Sequence, residues 1–155
     1  MDAQVVNKFL QATSTVLADY FSIAVSQNGS PNVVKGADVR DPVAIILGIT
    51  GDLEGLFLIG YSQDTALNIA RTMMGNPEYP QIDDMCRSAL SELSNMIGGM
   101  TSTGLSELGY FCNLEPPAFL TAETGNSLNS QTMIALPFST PVGDFRVCVG
   151  LREAG

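Results

Sequence analysis

The sequence predicts an α+β domain in which duplicated α-β units share one mixed or antiparallel sheet, with two long helices packed on one face. Three observations carry that expectation. Apolar residues recur at helical spacing near the start of the chain and again over a long central stretch. Two pairs of near-continuous apolar runs, each pair joined by a Gly-containing turn, have the form of β-hairpins. The two halves also agree in order. Each has a helix, a strand, a Pro-containing turn and then a hairpin, so that 43–60 lies over 133–150 with Thr50 on Thr140 and Gly60 on Gly150. The repeats cover about 1–61 and 82–151 within a single domain spanning 1–155.

Val5, Val6, Phe9, Leu10, Val16, Leu17 and Tyr20 form one apolar face of a helix over about 2–19. A short strand over 21–26 and a loop through Gln27, Asn28, Gly29, Ser30 and Pro31 follow. Strands at 43–50 and 56–61 flank a turn with Gly51 and Gly55, and their apolar runs imply cover by helices on at least one face. Ser62 is the N-cap of a helix running through Met74, with Asp64 in its first turn and Gly75 at C′. Pro77 and Pro80 make the segment 76–80 a rigid turn. The longest helix runs from about Ile82 toward Leu108 and closes at Gly109. A strand at 110–113, a kink at Pro116 and Pro117, an extended segment at 118–121 and a polar loop at 125–130 follow. A second hairpin joins 132–138 to 145–151 through Pro141 and Gly143.

Composition removes several classes of function. A chain of 155 residues with 45% hydrophobic content can close a core, burying about 68–70% of its unfolded surface. The net charge is −9 and the seven cations are scattered, so there is no basic face for nucleic acid or an anionic membrane. There is no histidine, which excludes Ser-His-Asp and Cys-His machinery and His-ligated zinc. Three cysteines, Cys86, Cys112 and Cys148, are too few for a closed thiolate zinc site and read as reduced structural thiols. The start of the chain lacks the charged leader and apolar core of a signal peptide, and no apolar run approaches a membrane span. A soluble cytoplasmic protein is the expectation.

The long central helix departs from an ordinary surface helix. Ile82, Cys86, Ala89, Leu93, Met96, Ile97 and Met100 make an apolar stripe. A second stripe runs through Ser88, Glu92, Asn95, Gly99 and Ser102, within an arc of about 80°. Between Arg87 and Glu107 the only charge is Glu92, and small residues dominate. The adjacent Gly98 and Gly99 cost about 2 kcal/mol of helix propensity relative to alanine. A cost of that size implies a close approach to the helix surface by another helix of the fold or by a partner protein.

The run from Ser88 to Asn95 reads S-x-x-x-E-x-x-N and is followed by Met96, Ile97, Gly98 and Gly99. On a long helix of a duplicated domain this resembles the signature of the CheX/CheC/FliY family of response-regulator phosphatases, and the length suits the small CheX branch. Two-site relatives repeat the acid and the amide on the first helix. Here, laying Leu10 on Leu90 puts Ala12 opposite Glu92 and Thr15 opposite Asn95, which fits one site per chain. The resemblance differs downstream, where Ala118 stands in place of a family proline and Pro116 and Pro117 come just before it. It implies a CheC-like fold and hydrolysis of the aspartyl phosphate of a phosphorylated CheY-type response regulator. Glu92 and Asn95 would be catalytic, and Ser88, Ser91, Gly98 and Gly99 would contact the partner. The chain itself would bind no metal or cofactor, with Mg²⁺ carried by the response regulator, and it would form a homodimer, with the segment 118–121 able to extend a sheet between subunits. The competing expectation is a non-catalytic receiver-binding or flagellar-switch module of the same fold.

Overall fold

The computed structural model describes residues 2–121 and 128–154. In chain order the elements are α1 (Ala3–Phe21), β1 (Ser26–Gln27), β2 (Asn32–Lys35), a 3₁₀ turn (Gly36–Asp38), β3 (Val43–Gly51), β4 (Leu53–Tyr61) and α2 (Gln63–Met74). They continue with α3 (Asp84–Glu107), β5 (Cys112–Leu114), β6 (Ala118–Phe119), β7 (Thr132–Ser139) and β8 (Phe145–Glu153). The strands form one eight-stranded sheet in the order β1-β7-β8-β4-β3-β5, with β2 also on β7 and β6 also on β3. Every pairing is antiparallel.

The two long hairpins, β3–β4 and β7–β8, meet along β4 and β8, whose register runs from Leu53↔Glu153 to Tyr61↔Phe145. The superposition that lays Gly60 on Gly150 also lays Leu58 on Cys148, and these two are cross-strand partners one pair from the middle of that seam. An antiparallel pair has a local twofold axis at its centre, but with β4 laid on β8 about this pair Gly48, the partner of Leu56, falls on Pro137, the partner of Arg146, so β7 is offset by one residue from the expected match to β3.

Alternation along the strands separates two apolar layers. Ile45, Leu47, Ile49, Phe57, Ile59 and Val147 face the helices and form the main core with Phe9 and Leu17 of α1 and Leu90, Leu93 and Ile97 of α3. Each such fully buried side chain contributes about 1.5–3 kcal/mol. Phe9 meets Phe57 edge to face at 5.4 Å. On the other face Ala44, Leu58, Met133, Ala135 and Cys148 make a thinner layer under Leu128. Helices α1 and α3 pack together and are tied at one end by a 3.1 Å ion pair between Lys8 and Glu107.

Several boundaries differ from the sequence expectation. Helix α1 runs to Phe21, Ser22 ends it in the left-handed region, and the strand expected at 21–26 is only β1. Strand β2 lies in a stretch the sequence reading left without an element. The segment 118–121 forms β6 against β3, with Ile45↔Phe119 and Ile46↔Ala118, so it extends the chain's own sheet. Of the polar loop expected at 125–130, residues 125–127 lie outside the described part. Among the described residues no helix is long and apolar enough to cross a membrane.

Candidate functional site

Helix α3 is fixed at its start by Asp83, whose side chain accepts from the Cys86 N–H at 3.1 Å as N-cap. The Tyr79 hydroxyl donates to the other Asp83 oxygen. That bond holds the Asp83 carboxyl below its ordinary range and pushes Tyr79 up to about 12. Arg71 near the end of α2 donates to the Tyr79 carbonyl at 2.8 Å, so α2, the turn and the α3 cap form one connected unit. Further along, Ser102 donates to the Cys112 carbonyl at 3.2 Å and ties α3 to β5.

The buried face of α3 consists of Cys86, Leu90, Leu93, Ser94, Ile97, Gly98, Thr101 and Leu105. It is turned away from the stripe expected from apolar residues alone. Ile82, Ala89, Met96 and Met100 are only half-buried. Small residues let the helix approach the sheet. A Cβ on Gly98 would lie 3.0 Å from Leu114 Cδ1 and 3.3 Å from both Leu47 Cδ2 and Phe57 Cζ. Gly98 is therefore seated on this chain's own sheet, which corrects its assignment to a partner. Gly104 faces the Lys8 side chain of α1, whereas a Cβ on Gly99 would have nothing within 4 Å. The close approach is thus intramolecular at Gly98 and Gly104, and Gly99 is open.

Glu92 and Asn95 are both exposed, as are Ser88 and Gly99, while Ser91 is half-buried at the edge of this face. Residues three apart on a helix are neighbours, with Cβ atoms about 5–6 Å apart. The acid and the amide therefore stand side by side, pointing away from the sheet. Neither makes a hydrogen bond or ion pair with the described residues. Such a pair can receive donors and hydrogen-bond a water molecule, but it has no cation of its own. The one positive charge on α3 is Arg87, which pairs with Asp84 at 3.5 Å. Among the described residues no group of three or more His, Cys, Asp or Glu side chains is placed to hold a metal ion.

Burial also fixes the correspondence between α1 and α3. Laying Phe9 on Leu90 carries Val5, Ala12, Thr13, Val16 and Leu17 onto Cys86, Leu93, Ser94, Ile97 and Gly98, buried onto buried, while buried Val6 falls on exposed Arg87 and exposed Tyr20 on buried Thr101. This moves the expected alignment by one residue, because the sequence reading matched leucine to leucine rather than face to face. Gln11 and Ser14 then stand where α3 has Glu92 and Asn95. The acid–amide pair is not repeated on α1 in either alignment.

Residues 43–139, which include both side chains, match the family model for the chemotaxis phosphatase CheX. The CheY-P phosphatase CheX of Thermotoga maritima is 29% identical over 156 residues, covering 100% of both chains. The structure is similar to CheX in a complex with CheY, BeF₃ and Mg²⁺ from Borrelia burgdorferi, at 30% identity and a TM-score of 0.78 over 96% of this chain and 97% of that one. A chemotaxis protein CheX from Desulfovibrio desulfuricans superposes with a TM-score of 0.79 at 25% identity, over 97% of this chain and 99% of its own. With the family model matching more than half of the chain, including the helix that carries the motif, and the fold in agreement, this chain belongs to the CheX family of chemotaxis phosphatases.

Proposed function

We propose that this protein hydrolyses the aspartyl phosphate of a CheY-type response regulator in chemotaxis signalling, and that Asn95 and Glu92 do this from the exposed face of α3. The observation that supports it most is the placement of an acid and a carboxamide side by side, unpaired, on the open side of a helix within a CheX family chain. The substrate is an acyl phosphate on another protein, so the site has to project rather than enclose.

An aspartyl phosphate is a mixed anhydride, and its hydrolysis is an in-line displacement. A water oxygen bonds to phosphorus as the bond from phosphorus to the aspartyl oxygen breaks, giving a free carboxylate and inorganic phosphate. The barrier is met mainly by positioning and charge stabilisation. An amide is too weak a base to take the proton, but its oxygen accepts from a water and its nitrogen donates to one. Asn95 therefore orients the attacking water opposite the leaving carboxylate. Glu92, one turn earlier, accepts from a lysine of the response regulator and sets the register of docking. The Mg²⁺ belongs to the response regulator in this reading, which leaves this chain no cation to supply.

Single turnover tests it. The purified chain is mixed with a phosphorylated CheY-type receiver domain and phosphate release is followed, with Asn95→Ala and Glu92→Ala alongside. The expected loss for Asn95→Ala is about 10²-fold, the scale of an orienting effect. Release at the spontaneous rate with the intact chain would overturn the activity, and full activity in Asn95→Ala would overturn the water-orienting role. Light scattering on the same sample tests the homodimer expected of a CheX relative.

A further inference from the structure

Among the described residues four large apolar side chains stand out in solvent, Tyr20, Val33, Met85 and Phe111, and of these only Met85 lies on α3. Met85 is 62% exposed. It precedes Glu92 by two helical turns, about 10 Å along the axis and within about 20° of the same direction. Met85, Ser88, Glu92, Asn95 and Gly99 therefore form one continuous exposed face. Arg87, two residues on, projects about 160° around the helix from Met85, where its guanidinium lies 6.0 Å over the Phe119 ring of β6. That contact restrains a long side chain that is still 54% exposed. A cleft of about 500 Å³ opens alongside, lined in part by Ile82, Arg87, Phe119 and Leu120.

We propose that Met85 is the anchor by which this chain grips the receiver domain of the response regulator. The inference rests on the reading above, because the face is continuous with the acid–amide pair. The occupant follows from position. A protein that brings a phosphoaspartate and its Mg²⁺ to Asn95 covers the next two turns of α3 as well. Methionine is an adaptable apolar contact of the kind that fills a partner's pocket. The anchor supplies affinity, while Asn95 supplies the chemical step.

Affinity is measured by titrating the full chain with a BeF₃-loaded receiver domain, which is not hydrolysed. Met85→Glu is expected to weaken binding about tenfold, the scale of one buried interface anchor. Met85→Leu should restore it, and Phe111→Glu, which adds the same charge beyond the far end of α3, should bind as the parent does. Unchanged affinity in Met85→Glu, or equal weakening by Phe111→Glu, would overturn the anchor, as would a parent chain that fails to bind. Tight binding lost in Met85→Glu but unaccompanied by phosphate release in the parent would uphold the anchor and overturn the hydrolytic role of Asn95.

Discussion

Alanine at Gly98 and alanine at Gly99 should move stability in opposite directions, although the two positions are adjacent on one helix. In a helix interior alanine is favoured over glycine by about 1 kcal/mol. At Gly99 a Cβ has open space around it, so that gain is realised in full. For a chain of this size 1 kcal/mol raises Tm by about 2–4 °C. At Gly98 the added methyl meets Leu114 at 3.0 Å and Leu47 and Phe57 at 3.3 Å, and the last two are 0% exposed. Overpacking such a contact costs about 1–3 kcal/mol, which exceeds the propensity gain and leaves Gly98→Ala less stable than its parent by up to about 2 kcal/mol. Urea unfolding followed by circular dichroism measures both variants directly. If Gly98→Ala proved as stabilising as Gly99→Ala, the close seating of α3 on β3 and β4 would be refuted, and the placement of Asn95 with it.

Two other outcomes follow from polar groups away from the exposed face. The Tyr61 hydroxyl and the Ser94 hydroxyl are buried without a partner among the described residues, so Tyr61→Phe and Ser94→Ala should each stabilise the fold by about 1 kcal/mol in the same unfolding assay, and a loss would show that the hydroxyl is bonded. The Tyr79–Asp83 bond should make stability depend on pH at both extremes. Asp83 is held below the ordinary carboxylate value of about 4, so its contribution is complete above that value and fades as pH falls through the depressed one. Tyr79 is raised from 10.0 to about 12, so its contribution is complete below 10.0 and fades between these two values. Urea midpoints of Tyr79→Phe should lose that alkaline decline, and alkaline limbs that superpose on the parent would refute the coupling.

The elements with strong local signals were legible in the sequence. The Ser62 cap and Gly75 at φ 65° bound α2 as expected, and both hairpins follow their apolar runs. What escaped were pieces held by partners distant in sequence. Strand β2 is only Asn32–Lys35, with Val33 in solvent, and it exists because it pairs with β7 a hundred residues later. Strand β6 is two residues long for the same reason. On α3 the error was one of rotation. Tracking apolar side chains favours Ala89, Met96 and Met100, but the tightest contact with a sheet selects small residues, and Ser94, Gly98 and Thr101 are the buried ones. Glu92 and Asn95 were singled out by their likeness to a family motif, since a lone acid and amide on a helix carry no local signal of purpose. Met85 has no place in either stripe read from the sequence, and only its exposure sets it apart.

The seam between β4 and β8 has a consequence for synthesis on the ribosome. Until residues 145–153 emerge, β4 has no neighbour on that side, and Phe57, Leu58 and Ile59 sit along a bare strand edge. An unpaired edge of this kind is a template for pairing with another chain. The helix that bears Glu92 and Asn95 is translated inside that vulnerable interval, well before the strand that closes the sheet beneath it. Nascent chains stalled short of β8 should therefore clump rather than retain a partly working phosphatase, and the exposed face of α3 gains its final setting only with the whole fold.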